Sequence, residues 1–195
     1  MNSTAPAFGT GISLVGHAWG RAGVQAPVEG WGQRAWIDDE ALAQARADHR
    51  LSLIDRDRGI YLFFTDAESH AARYGEPSSR GSLVLSRVSL LLRIGSPWTP
   101  YAGALPLALR ADDRAGDVLP RLGPPADLWR AGPEVSKARW STPEAEVDVG
   151  FERGTGRLRL VTMARSASAP ASAVAVPSPD HLARQFGRPL SALAA

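Results

Sequence analysis

Tyr101-Ala102-Gly103-Ala104-Leu105-Pro106 opens the stretch, reaching to Met163, whose reading decides the fold, because consecutive signals agree along it. A helix is predicted over Asp112 to Leu122. Asp112 and Asp113 are placed to cap it, and Ala115, Val118, Leu119 and Leu122 recur at intervals of three and four. Pro120 should shorten or kink its last turn, and Gly123-Pro124-Pro125 stops it. Strand-like segments around Trp140, Val149 and Leu160 follow. From Lys137 the pattern has period 2: Val147, Val149 and Phe151 alternate with Asp148, Gly150 and Glu152. Gly154-Thr155-Gly156 turns the chain, after which Leu158 and Leu160 alternate with Arg157 and Arg159. The implied sheet has one wet face and one face for the helix to cover. On this register Val149 points to the core and Asp148 to solvent, so Asp148→Asn is expected to be nearly silent.

Working outward, Leu51 to Ile54 and Gly59 to Phe64 flank a polar turn, Asp55-Arg56-Asp57-Arg58-Gly59, and predict a hairpin. Its second strand, apolar on both sides, is expected to be central. His70 to Pro77 reads as a polar connection and Ser82 to Ile94 as a further strand. Asp38-Asp39-Glu40 leads into Ala41 to His49, a helix by propensity with acids at its start, where the dipole favours them. Residues 1–36 are rich in Gly and Trp (Trp19, Trp31, Trp36) without a regular period, so the tryptophans are expected to lie on the domain as packing residues. Ser166 to Pro179 has the composition of a linker, with a short terminal helix after it.

The fold class that results is α+β: an antiparallel sheet, or sheets, packed against one or two helices. The expected organisation is an irregular segment 1–36, a domain 37–165 in two sequential β-rich halves, 37–98 and 99–165, and a linker with a short helix over 166–195. A chain of 195 residues suits one domain with ragged ends.

Charge is nearly balanced, with 22 basic against 20 acidic residues and a net charge of +2. That is too small to steer the whole molecule to nucleic acid or to an anionic membrane. The absence of cysteine excludes disulfides and thiolate metal sites. Met1-Asn2-Ser3-Thr4-Ala5-Pro6 lacks a basic region followed by an apolar run, so no secretory signal and a cytoplasmic location are expected. The most apolar run, Leu83 to Ile94, is interrupted by Ser86, Arg87, Ser89 and Arg93 and is too short to span a membrane.

His17, His49, His70 and His181 stand singly in different segments, without the spacing of a metal site. No Gly-x-Ser-x-Gly elbow presents a serine and no Gly-x-x-x-x-Gly-Lys loop holds a phosphate. No catalytic residue, metal or cofactor is expected on these grounds.

One ordered set of residues resembles a known group. Tyr101-x-Gly103-x-Leu105-Pro106, Arg114-x-x-x-Val118-x-x-x-Leu122-Gly123-x-Pro125, Trp140, Val147-x-Val149 and Gly156-x-Leu158-x-x-Val161 are similar to a pattern in small bacterial proteins encoded beside interbacterial toxins, many of them immunity proteins. Helix, Leu-Gly-x-Pro stop and meander also resemble outer-membrane assembly lipoproteins of the BamE type, which carry a signal and an acylated cysteine where this chain has neither. The matching positions make the fold, so no functional residue transfers. The first resemblance implies a non-enzymatic immunity protein that binds a cognate toxin or effector, of the type VI secretion kind, with no nucleic-acid, membrane or small-molecule partner. The second implies a structural or assembly module of an envelope or secretion apparatus. Contact residues for a protein partner are expected at Trp98, Trp129, Arg130 and Glu134, the last within a loop from Ala131 to Ser136.

Overall fold

The computed structural model describes residues 13–20, 24–25, 39–79, 81–93, 98–142 and 145–166. Trp31, Trp36, Asp38, most of segment 1–36 and the tail from residue 167 lie outside the described residues, and with them the expectations placed there. The elements run α1 (Asp39–Ala47), β1 (Arg50–Asp55), β2 (Ile60–Asp66), α2 (Ala67–Tyr74), β3 (Leu83–Leu91), a 3-10 turn (Pro106–Ala108), α3 (Ala115–Leu122), β4 (Asp127–Ala131), β5 (Glu134–Ser141), β6 (Ala145–Phe151) and β7 (Leu158–Arg165). The seven strands form one sheet in the order β1-β2-β3-β7-β6-β5-β4. Every neighbouring pair is antiparallel, so the fold is α+β. Two meanders, β1 to β3 and β4 to β7, join where β3 pairs with β7.

Alternation along each strand sorts side chains onto two faces. One face is apolar: Leu62 lies opposite Val88, Val88 opposite Met163, Met163 opposite Val147 and Val147 opposite Trp140. These side chains belong to one buried cluster that also takes in Leu14, Ala45 of α1 and Val118 of α3. Trp140 Nε1 donates to the carbonyl of Gly123 at 3.2 Å, fixing β5 to the end of α3. Trp19 meets Phe64 edge to face with ring centroids 5.6 Å apart, so this tryptophan packs on the core as expected.

β7 covers β3 only from Arg87 to Leu91. Beyond it, residues 16–19 take over the edge: Gly16 N–H donates to Leu85 O at 2.8 Å, Leu85 N–H to His17 O at 2.9 Å and Trp19 N–H to Leu83 O at 2.7 Å. The backbone groups that β7 leaves are thereby satisfied.

Several expectations are corrected. α3 begins at Ala115, and its N-terminal acid is Asp117, whose carboxylate accepts the Arg114 N–H at 3.0 Å. Asp113 accepts the Arg110 N–H at 2.8 Å and the Arg121 guanidinium instead of capping the helix. Burial works against the Asp113 charge, yet the bonds from Arg121 and Arg110 hold its carboxyl below the usual range. Pro120 stays inside the helix, near an end that Gly123 closes at φ 77° with its N–H on Leu119 O. The connection after Asp66 contains α2, capped by the Asp66 carboxylate accepting the Ser69 N–H at 2.8 Å. Its polar composition hid it, since only His70 and Tyr74 are buried. The loop from Ala131 to Ser136 is a tight hairpin: Trp129 and Arg130 belong to β4, a strand with no apolar alternation, and Glu134 opens β5. β2 is an interior strand as expected, but it buries Ile60, Leu62 and Phe64 more deeply than Tyr61 and Phe63.

Candidate functional site

The second sheet face is polar and carries two rows that cross the strands. One runs Asp127, Arg139, Asp148, Thr162, Ser89, Tyr61; the other runs Ser141, Glu146, Ala164, Arg87, Phe63. α2 covers one end of this face. There His70, fully buried, has Nδ1 3.3 Å from Ser86 Oγ, and Ser86 Oγ also bonds Thr65 Oγ1. A serine beside a histidine has the parts of a nucleophile and its base. Here Ser86 is 1% exposed and also donates to Val84 O, so the group holds α2 on the sheet and offers no surface to a substrate.

Burial, with the charge of Arg165 adding to it, pushes His70 down to about 4 from an ordinary 6.5. His70 is therefore neutral in the fold while the unfolded chain takes up a proton near pH 6.5, so stability is fully present above 6.5 and declines as pH falls toward 4. The loss should approach about 3 kcal/mol. Urea unfolding at pH 7 and pH 4.5 measures it, and His70→Asn should flatten the difference. An unchanged slope in that variant would remove His70 as the cause.

At the other end lies the β4–β5 hairpin. β4 is the last strand of the sheet, and among the described residues its outer edge has no strand partner. Leu128 and Trp129 are the large hydrophobic side chains left exposed among the described residues, at 40% and 39%. Trp129 is held by cations on the second face: Lys137 Nζ lies 4.5 Å and the Arg139 guanidinium 5.4 Å from its ring centroid. Both cations are fixed in turn by Asp148, with Lys137 Nζ at 2.7 Å and Arg139 Nε at 2.7 Å from its carboxylate. Arg139 also lies 3.6 Å from Asp127 and 3.8 Å from Glu146.

Asp148 is thus the centre of a charge network and not a free solvent residue. Burial works against its charge, but hydrogen bonds from Arg139 and Lys137 outweigh it and hold the carboxyl below the usual range. Its replacement by Asn is no longer expected to be silent, because two cations would lose their common partner.

The candidate contact residues separate into two places. Trp129, Arg130 and Glu134 meet on the hairpin, where Arg130 Nη1 donates to Pro133 O at 3.2 Å and Glu134 accepts the Gly154 N–H at 3.0 Å. Those bonds brace the β4–β5 and β6–β7 turns; Trp129 and Arg130 are both exposed, and of the two Trp129 is the apolar one. Trp98 lies elsewhere, half-buried under the Arg56 guanidinium at 5.2 Å, beside the β1–β2 turn at the far edge of the sheet. Reading the sequence alone misses Leu128, Lys137, Arg139 and Asp148, since they sit on three strands; the period-2 alternation from Lys137 is the signal that puts the last three on one face.

Among the described residues, no group of three or more His, Asp or Glu side chains is placed to hold a metal. No described helix is long and apolar enough to cross a membrane. Comparison with family models, with curated proteins and with solved structures gives no match.

Proposed function

We propose that this chain is a non-enzymatic binding protein that neutralises a cognate toxin or effector domain, and that the β4–β5 hairpin is its contact surface. The observation that carries the reading is that Leu128 and Trp129, adjacent in β4 and directed to opposite faces of the sheet, are both exposed on an edge strand whose outer N–H and C=O groups have no strand partner among the described residues. An open edge of this kind is a template for an added strand, which supplies main-chain hydrogen bonds while exposed side chains supply specificity. Trp129 offers a large rigid anchor held in place by Lys137 and Arg139 before any partner arrives, which lowers the ordering cost of association. The immunity role rests on the resemblance described above, in which such proteins lie beside the toxin they block.

Expression of the neighbouring reading frame tests it. The neighbour's product should be toxic alone, harmless with this chain, and recovered with it as a stable complex. Trp129→Ala should weaken that complex roughly thirtyfold, the scale of an interface anchor, and change the melting temperature little. A harmless neighbour that does not bind would remove the immunity reading and favour an assembly module. A large loss of stability with unchanged affinity would make Trp129 a packing residue.

A further inference from the structure

Between α2 and the hairpin, the second face holds a cleft of about 140 Å³ lined by Arg73, Tyr74, Arg87, Thr162 and Ala164, with the Lys137, Arg139, Glu146 and Asp148 network as its far wall. The register explains the hollow. In its row Ala164 stands between Glu146 and Arg87, so a methyl group separates two long side chains on strands roughly 10 Å apart.

The walls differ in charge. On the far side Lys137 and Arg139 are matched by Asp148, Glu146 and Asp127. On the near side, Arg73 and Arg87 each lie against an aromatic ring, Arg73 at 5.3 Å from the Tyr74 centroid and Arg87 at 4.8 Å from that of Phe63. Among the described residues neither has a carboxylate within ion-pair distance, and none supplies a hydrogen-bond partner to the buried Nε of Arg87. Ring contact orients a guanidinium without neutralising it. Two oriented, unneutralised arginines beside a small residue and a threonine hydroxyl have the chemistry of an oxyanion receptor, since the guanidinium fork matches carboxylate and phosphate.

We propose that this cleft binds a small multivalent oxyanion, a phosphate group or paired carboxylates, through Arg73 and Arg87, with Thr162 beside it. The site uses other side chains than Leu128 and Trp129, so it stands or falls separately from the hairpin reading. It has no linear motif, because its residues come from α2, β3, β5, β6 and β7.

Titration of the full chain with inorganic phosphate and with succinate at constant ionic strength, followed by amide chemical shifts, tests the proposal. Saturable shifts centred on Thr162, Ala164 and Arg87 are expected for at least one of them. Stronger response to phosphate assigns a phosphoryl ligand; stronger response to succinate assigns a dicarboxylate. Arg87→Gln and Arg73→Gln should each weaken binding roughly tenfold, the loss of a charge-assisted hydrogen bond, and Arg130→Gln should leave it unchanged. Arg73 is exposed, so its variant carries the test even where Arg87→Gln disturbs the sheet. No saturable response to either anion, or equal weakening by Arg130→Gln, would overturn the site.

Discussion

Val149→Asp is expected to destabilise the protein by about 4 kcal/mol or more, the scale for a buried, unpaired carboxylate. Val149 is fully buried, and its cross-strand neighbours on the apolar face are Ala138 and Val161. None of these can accept or donate a side-chain hydrogen bond, so the new acid must either stay protonated or open the sheet. Urea unfolding at neutral pH should show the midpoint falling steeply, with partial recovery in acid, where the carboxyl is neutral. Asp148→Asn, one position along on the opposite face, should cost only about 1–2 kcal/mol by loosening Lys137 and Arg139. Similar losses for the two substitutions would contradict the register of β6.

Gly59→Ala is expected to cost about 3 kcal/mol, combining a left-handed backbone with a steric clash. Gly59 closes the β1–β2 turn at φ 64°, after Asp55 has accepted the N–H groups of Asp57 and Arg58 at 3.1 Å each. A Cβ there would lie 2.6 Å from Tyr101 N, 2.7 Å from Thr99 O and 2.8 Å from Leu91 O. These are backbone atoms of a segment locked across the turn, where Tyr101 N–H donates to Leu91 O and Leu91 N–H to Gly59 O. Gly154→Ala supplies the comparison: its φ is 83°, but a Cβ would meet nothing within 4 Å, so only the backbone term of about 1 kcal/mol applies. Equal melting temperatures for the two variants would show that the crossing segment gives way.

The position of Gly59 also marks where sequence reading stops. Its place at the end of a polar turn is legible from Asp55 to Gly59, because a glycine after charged residues between apolar runs has a local meaning. That the segment 99–101 lies against it is not legible, since the contact arises from chain folded back over the hairpin. The same distinction applies to α2. His70 and Tyr74 are four residues apart, but two buried positions among eight do not make a readable stripe, and only the sheet beneath them reveals the helix as a cover.

The proposed surface shows the same limit. Trp129 stands out in the sequence as an aromatic residue near charges. Its exposure follows from β4 being the last strand, and its orientation from Lys137 and Arg139 on β5. Trp98 carries an equal signal in the sequence, yet it is half-buried against Arg56 at the opposite edge. Residue type alone could not separate them, because exposure is settled by neighbours distant in the chain.

By itself the sequence determined the α+β class, the period-2 strand from Val147 to Phe151, the glycine stop after α3 and the turn at Gly154 to Gly156. These follow from alternation, backbone freedom and hydrogen-bond loss within a few residues, which neighbours in the chain set directly. The alternation expected of Leu158 and Leu160 is broken by a bulge, so Leu160 lies opposite Gly150 and Leu91 on the polar face while Val161 takes the core position. Only the tertiary structure decided that β7 pairs with β3, joining Ser89 to Thr162 across 73 residues at 2.9 Å and bringing Arg87 beside Ala164. Many strands share the same alternation and could pair on that ground alone; which of them do is chosen by how the whole apolar face is buried at once, a condition no local stretch contains.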